Sequence, residues 1–292
     1  MAMSIILGLS AAVCWGVTDF LARYASRELG AYRSLFFMQA FGLGLLSLVW
    51  LGLDRDMVLH ATRAAWAWDV VGGVLSTAAV LALYRSFETG KLAVVAPISA
   101  GYPALTALLA IASGEQVTAG RWAGIALVLA GVSLTVGAAG SAELGLEAGA
   151  AAQDPRAGVG WALAAAAGFG VMFWLLGFHV VPELGGFMSV WVLRLVATLG
   201  LGVAAWPARQ SLRIPRRGMV WMLVAMGALD VGAYLSNNFG MEFRHISIVT
   251  VIASLYAAVT VLLAAVVLRE RLNCKQWIGV ALIFAGVVIL SA

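Results

Sequence analysis

The chain has 292 residues, with 18 Lys and Arg against 14 Asp and Glu; a soluble protein of this length carries roughly 73 charged residues. Apolar residues make up 63% and the mean hydropathy is +0.98, more than one soluble core can hide, so lipid is the solvent for most of the surface. A soluble enzyme, a nucleic-acid binder and a disordered scaffold are excluded, and the formal charge of +4 sits in small clusters between apolar runs, as in membrane loops.

A helix needs about 20 apolar residues to cross roughly 30 Å of hydrocarbon. Ten such runs follow one another: 4–22, 33–52, 66–84, 92–111, 121–139, 158–178, 187–206, 218–240, 246–268 and 275–291. The first has no basic leader and no cleavage site, so it reads as a span and not as a signal peptide. Helices satisfy their backbone internally, and the alternation that a membrane barrel needs is missing. Trp50, Trp66, Trp68, Trp122, Trp206, Trp221 and Trp277 fall near run ends, where an interfacial belt places them. The longer connection at 140–157, with Glu143, Glu147 and Asp154 among small residues, reads as a flexible linker. It divides the chain into 1–139 and 158–292, five runs each.

The two halves repeat. Glu115–Val132 lies on Glu270–Val287 at an offset of 155 with eight of 18 positions identical, including Trp122/Trp277, Gly124/Gly279 and Gly131/Gly286. Tyr102 and Thr106 meet Tyr256 and Thr260 at 154, as do Trp15-Gly16-Val17 and Phe169-Gly170-Val171, and Glu88 and Glu242. Glu28-Leu29-Gly30 meets Glu183-Leu184-Gly185 at 155. Five spans per repeat force the second half to enter the membrane from the opposite side. The expected fold is therefore an all-α polytopic membrane protein: ten transmembrane helices as two inverted five-helix repeats around a central cavity. Such repeats place a substrate site at the bilayer midplane and support alternating access. The odd-numbered connections hold 13 Lys and Arg against four in the even ones, which puts the odd ones in the cytoplasm and both termini outside.

Two five-span repeats, Trp15-Gly16 in the first, and Pro103 followed by Glu115, Trp122, Gly124 and Gly131 resemble the EamA-type branch of the drug/metabolite transporter superfamily. Within it the chain looks like YddG-type amino-acid exporters. The resemblance implies ten helices around a cavity, export of small metabolites such as aromatic or neutral amino acids, a bacterial inner-membrane location and termini in the cytoplasm, opposite to the charge count. Small multidrug-resistance relatives carry a membrane-embedded Glu in the first helix; Ala12-Val13-Cys14-Trp15-Gly16 has no carboxylate there.

Intramembrane polar groups are expensive and so are functional candidates. Arg194 and Asp230 lie deep in the seventh and eighth runs; they read as an ion pair that packs helices, or as a gate or substrate site, and Asp19 joins them as a third candidate. Asn237 and Asn238, near Tyr234, could bind a zwitterion or bond between helices. Trp15, Tyr84, Tyr102, Phe169, Trp174 and Tyr256 are candidates for an aromatic cavity wall, which suits apolar side chains and organic cations. Pro97 and Pro103 can kink the fourth span, and the Gly124/Gly131 and Gly279/Gly286 spacing suits close helix contact. No nucleotide motif, catalytic cluster, metal set or cofactor site stands out, so the leading reading is a transporter, working as a monomer on a small-molecule substrate in the lipid bilayer. The alternative is a proton-coupled exporter of organic cations or drugs that uses Asp19 or a free Asp230.

Overall fold

The structure is a computed structural model that describes residues 2–51, 61–113, 119–141, 157–242, 253, 255–269 and 273–291. Among these there is no strand. The helices are α1 (Ala2–Leu29), α2 (Ala31–Trp50), α3 (Arg63–Thr89), α4 (Leu92–Ser99), α5 (Tyr102–Ala112), α6 (Ala119–Ser141), α7 (Val159–Leu175), α8 (Val181–Ala204), α9 (Arg217–Glu242), α10 (Tyr256–Val267) and α11 (Cys274–Ser291), with a π-helical turn at Leu176–Val180. Five segments of the described chain are long and apolar enough to cross a membrane: Ile6–Leu29, Ala31–Trp50, Arg63–Thr89, Val159–Ala204 and Arg217–Gly240. Leu92–Thr106, Trp122–Gly131 and Trp277–Gly286 are shorter apolar stretches. Glu115, Glu143, Glu147, Asp154, His245 and Glu270 lie outside the described residues.

The fourth apolar run is two helices, not one. α4 ends at Ser99 and α5 begins at Tyr102. Pro97 sits inside α4, whereas Pro103 occupies the first turn of α5, where a missing N–H costs nothing. The opposite departure occurs at Val159–Ala204, where helical bonding runs on without a loop. Gly185 interrupts it with φ 70° and ψ 166°. Gly30, between α1 and α2, has φ 83°. Only glycine takes such angles without strain, so the two Glu-Leu-Gly matches mark one corner made twice.

Contacts between the halves come in pairs related by the repeat offset. Thr106 Oγ1 donates to the Gly170 carbonyl at 3.0 Å, and Thr260 Oγ1 donates to the Gly16 carbonyl at 3.3 Å. A Cβ on Gly131 would lie 2.6 Å from the Gly279 oxygen, and one on Gly286 2.7 Å from the Gly124 oxygen; α6 and α11 therefore touch backbone to backbone, about one two-fold axis. Trp191 Nε1 donates to Ser47 Oγ at 3.0 Å, while the corresponding Phe36 ring abuts Gly202. In the same way α1 packs on α9 as α7 packs on α3, and α2 on α9 as α8 on α3.

The π-turn accounts for a detail of the repeat. The offset is 154 at Gly16/Gly170 and 155 at Gly30/Gly185. A π-turn takes one residue more than an α-turn, and Leu176–Val180 lies between these landmarks. The added residue is absorbed in the helix, and the Glu-Leu-Gly corner keeps its place.

Basic side chains gather at one end. Arg23 donates to the carbonyls of Phe87 and Gly90, and Arg27 to the same two. Arg33 donates to the Arg213 carbonyl at 2.6 Å. At the other end Glu183 accepts from the Thr62 backbone N–H at 3.1 Å and from its hydroxyl at 2.5 Å, and Trp68 stacks on His179.

Candidate functional site

A cavity of about 50 Å³ lies where the halves meet. Its wall is Trp15, Thr18 and Asp19 from α1, Val80, Leu83 and Tyr84 from α3, Tyr102 from α5, Phe169 and Phe173 from α7, Asp230 and Tyr234 from α9, and Tyr256 from α10. These are corresponding helices of the two repeats. At 154 the wall pairs Trp15 with Phe169, Tyr102 with Tyr256, Val80 with Tyr234, and Asp19 with Phe173. The site thus straddles the axis that relates the halves, and its two carboxylates break the symmetry. Asp19 faces the position of Phe173, and Asp230 corresponds to Ser76.

Trp15 is the hub. Its ring meets Tyr234, Tyr256 and Phe173 edge-on, with centroids 5.2, 6.2 and 6.3 Å away. Phe173 stacks on Tyr102 at 4.9 Å. Edge-to-face and offset rings fix one another's orientation because their quadrupoles are complementary in those poses. The Trp15 indole N–H donates to Asp230 Oδ1 at 3.1 Å, so the aromatic wall is tied to the polar floor.

The two carboxylates differ in their partners. Asp230 Oδ2 lies 2.5 Å from Arg194 Nη2, and Arg194 is further bonded to Gln39 and stands 4.8 Å over the Tyr234 ring. Desolvation is severe here, and a close cation offsets much of it; Arg194 is held in turn by the carboxylate, the Gln39 amide and the Tyr234 ring, while its Nε has no hydrogen-bond partner among the described residues. Asp19 has no such partner. It is 6% exposed, and its Oδ2 has no hydrogen-bond partner among the described residues. Arg23, one turn further along α1, instead reaches the α3 terminus. A buried carboxylate without a cation takes up either a proton or a cationic group from elsewhere.

Of the residues singled out in the sequence, Trp15, Tyr84, Tyr102, Phe169, Tyr234, Tyr256, Asp19 and Asp230 meet in the wall. Arg194 stands behind it. Asn237 and Asn238 do not line it: Asn238 donates to the Gly186 carbonyl at 3.3 Å, and Asn237 bonds to Asn238 at 3.4 Å. Trp174 is outside too, donating to Ser113 Oγ at 3.1 Å and packing on His179. The first helix does bring a carboxylate to the cavity: it is Asp19, one turn beyond Trp15. Sequence reasoning missed Thr18, Val80, Leu83 and Phe173. Phe173 carried a readable signal, since it is the repeat partner of Asp19.

A bundle of long apolar helices around an aromatic chamber with a small polar floor is the architecture of an integral membrane protein. The EamA-like transporter family matches residues 2–137 and again 156–292. The chain therefore belongs to that family, a membrane transporter of the drug/metabolite transporter superfamily, whose members are generally not enzymes. A protein of Methanocaldococcus jannaschii described as uncharacterized is 28% identical over 132 residues, which is 45% of this chain and 94% of that one. That relative is thus about one repeat long. A crystal structure with 18% identity superposes with a TM-score of 0.64 over 99% of this chain and 96% of the other, and so shares the fold.

Proposed function

We propose that the protein is a secondary transporter with ten membrane-crossing segments in two inverted halves, which moves small amine-bearing apolar solutes by alternating access. The observation that carries the substrate class is the unpaired Asp19 carboxylate in a chamber of seven aromatic rings. An ammonium group satisfies the carboxylate, and the rings take the apolar body by burial and cation–π contact. A zwitterionic amino acid needs a cation for its own carboxylate as well. Arg194 is the nearby cation, and it is engaged by Asp230 and Gln39. Amines therefore suit the chamber better than amino acids.

Alternating access is supported by the paired contacts between halves and by cavity size. Solute sites run from about 300 to 1,000 Å³, whereas about 50 Å³ holds a handful of waters at roughly 10–15 Å³ each. The wall must part to admit a solute, and two symmetric sets of helices offer two ways for it to part. By the positive-inside rule the end that carries Arg23, Arg27 and Arg33 faces the cytoplasm.

The test is counterflow in liposomes with purified protein, using labelled phenethylamine, phenylalanine and tetraphenylphosphonium as probes. Saturable phenethylamine exchange that phenylalanine fails to compete is the expected result. Phenylalanine exchange at equal or higher rate would replace the amine reading with the amino-acid one. No exchange of any probe above empty liposomes would remove this substrate class.

A further inference from the structure

A third buried carboxylate lies outside the cavity. Asp69, on α3, has no exposed surface. Its Oδ1 accepts from Ser189 Oγ of α8 at 3.2 Å, and its Oδ2 has no partner among the described residues. It sits six residues into α3, about 9 Å along the axis from the helix start at 1.5 Å per residue. Ser76 and Val80 follow it at seven and eleven residues, on one face of α3 that leads to the chamber.

The internal repeat supplies a control for this position. Through the α2/α8 offset of 155, Ser189 corresponds to Ser34; through the α3/α9 offset of 154, Asp69 corresponds to Leu223. The contact of Gly73 with Val196 and of Gly227 with Phe41 follows the same two offsets. Ser34 is buried and bonds within its own helix to the Gly30 carbonyl at 2.9 Å. Leu223 is fully buried. At the positions that correspond to Ser189 and Asp69, the other seam thus carries a serine and a leucine, with no charge to desolvate. In the seam of Asp69, the serine turns away from the matching Gly185 and bonds to a carboxylate.

Among the described residues, the packed elements bring no counter-charge to it. α7 and α4 have no titratable side chain. α8 carries Glu183, held by Thr62, and Arg194, held by Asp230; the π-turn carries His179, stacked on Trp68. α2 carries Tyr32 and Arg33, bonded to Leu201 and Arg213 at the opposite end. α1 carries Cys14, Asp19, Arg23, Tyr24, Arg27 and Glu28; Asp19 lies at the chamber, and Arg23 and Arg27 lie at the far end of α3. On α3 itself are Arg63 at the rim, Tyr84 in the chamber wall, and Arg85 and Glu88, which pair with each other. An ionised carboxylate buried in this seam would face no cation among the described residues, whereas the neutral acid satisfies Oδ1 through Ser189 and carries its proton on Oδ2.

We propose that Asp69 is a proton-binding site separate from the solute chamber, and that a proton taken there from the adjoining aqueous face lets α3 and α8 close at that end. Opening the seam admits water and releases the proton to the same face. The mechanical half of this proposal rests on the alternating-access reading above; the site itself does not.

Two measurements test it. Infrared difference spectra between low and high pH, recorded on purified wild type, should contain a carboxylic-acid C=O band that is missing in Asp69→Asn. The same bands in both proteins would overturn the site. Asp69→Leu copies the mirror seam and should melt no lower than wild type, with Ser189 free to bond Gly185 as Ser34 bonds Gly30. In liposomes it should keep phenethylamine counterflow within twofold at neutral pH and lose at least tenfold of the change in counterflow rate that wild type shows as the pH of the adjoining aqueous face is varied. A pH dependence of counterflow unchanged in Asp69→Leu, or absent in wild type, would overturn the gating. Absence of phenethylamine counterflow in wild type would instead count against the transport reading, and the infrared result would still decide Asp69.

Discussion

The α6–α11 pair and the central chamber obey the same two-fold relation and treat it differently. At α6–α11 the symmetry holds in detail: Gly131 meets Gly279 and Ile283, and Gly286 meets Gly124 and Val128. In the chamber the aromatic frame keeps it, as Trp15/Phe169 and Tyr102/Tyr256, while the charges break it at Asp19, Asp230 and Arg194. Packing against a twin needs only matching shape, and matching shape is what a duplicated sequence provides. A chamber that was symmetric in charge as well would hold two Asp19 equivalents without cations, which a low-dielectric site does not tolerate. The scaffold keeps the repeat, and the chemistry departs from it.

The asymmetry of the chamber rests most heavily on the ion pair. Arg194→Met leaves Asp230 buried without its cation and should cost about 3–5 kcal/mol, read as a large drop in melting temperature of the purified protein. Arg194→Met with Asp230→Ser, which restores the residue found at Ser76, should recover most of that loss. Asp19→Asn should leave the melting temperature unchanged or raised. It should lower phenethylamine affinity by about 10–100-fold, the range that a charged hydrogen bond of about 1.5–3 kcal/mol implies; counterflow competition measures it.

The scaffold offers the sharper symmetry test. Gly131→Val and Gly286→Val each force a side chain onto a facing carbonyl and should destabilise by about 1–3 kcal/mol, to the same extent at the two sites. Unequal losses would show that the helix pair is not equivalent across the axis. The smallest effect is expected from Trp15→Phe, which keeps the ring and removes the 3.1 Å bond to Asp230. About 1 kcal/mol of stability should go with it, and solute affinity should change less than in Asp19→Asn.

The apolar runs, the duplication and the membrane class were legible in the sequence because each rests on length and residue type. The Glu-Leu-Gly matches, read in the sequence only as part of the repeat, fall on positive-φ corners at Gly30 and Gly185. The break between Ser99 and Tyr102 was not legible, because Pro97 and Pro103 drew attention to themselves when the chain parts between them. Asn237 and Asn238 read equally as solute ligands or as bonds between helices; in the structure Asn238 ties α9 to α8 through the Gly186 carbonyl, since an amide in lipid needs a partner whatever its role. Asp69 drew no notice, six residues into an apolar helix and close to two interfacial tryptophans.

What the sequence determined by itself is a lipid-dissolved, twice-repeated helical chain, because the hydrophobic effect and backbone satisfaction act on segments one at a time. What only the tertiary structure decided is which side of each helix looks inward. In a soluble protein a polar face gives that away, but here lipid and core are both apolar and the periodicity is nearly silent. Helix rotation, fixed by packing between the halves, is what joined Arg194 to Asp230, left Asp19 without a cation among the described residues, and set Asp69 against Ser189.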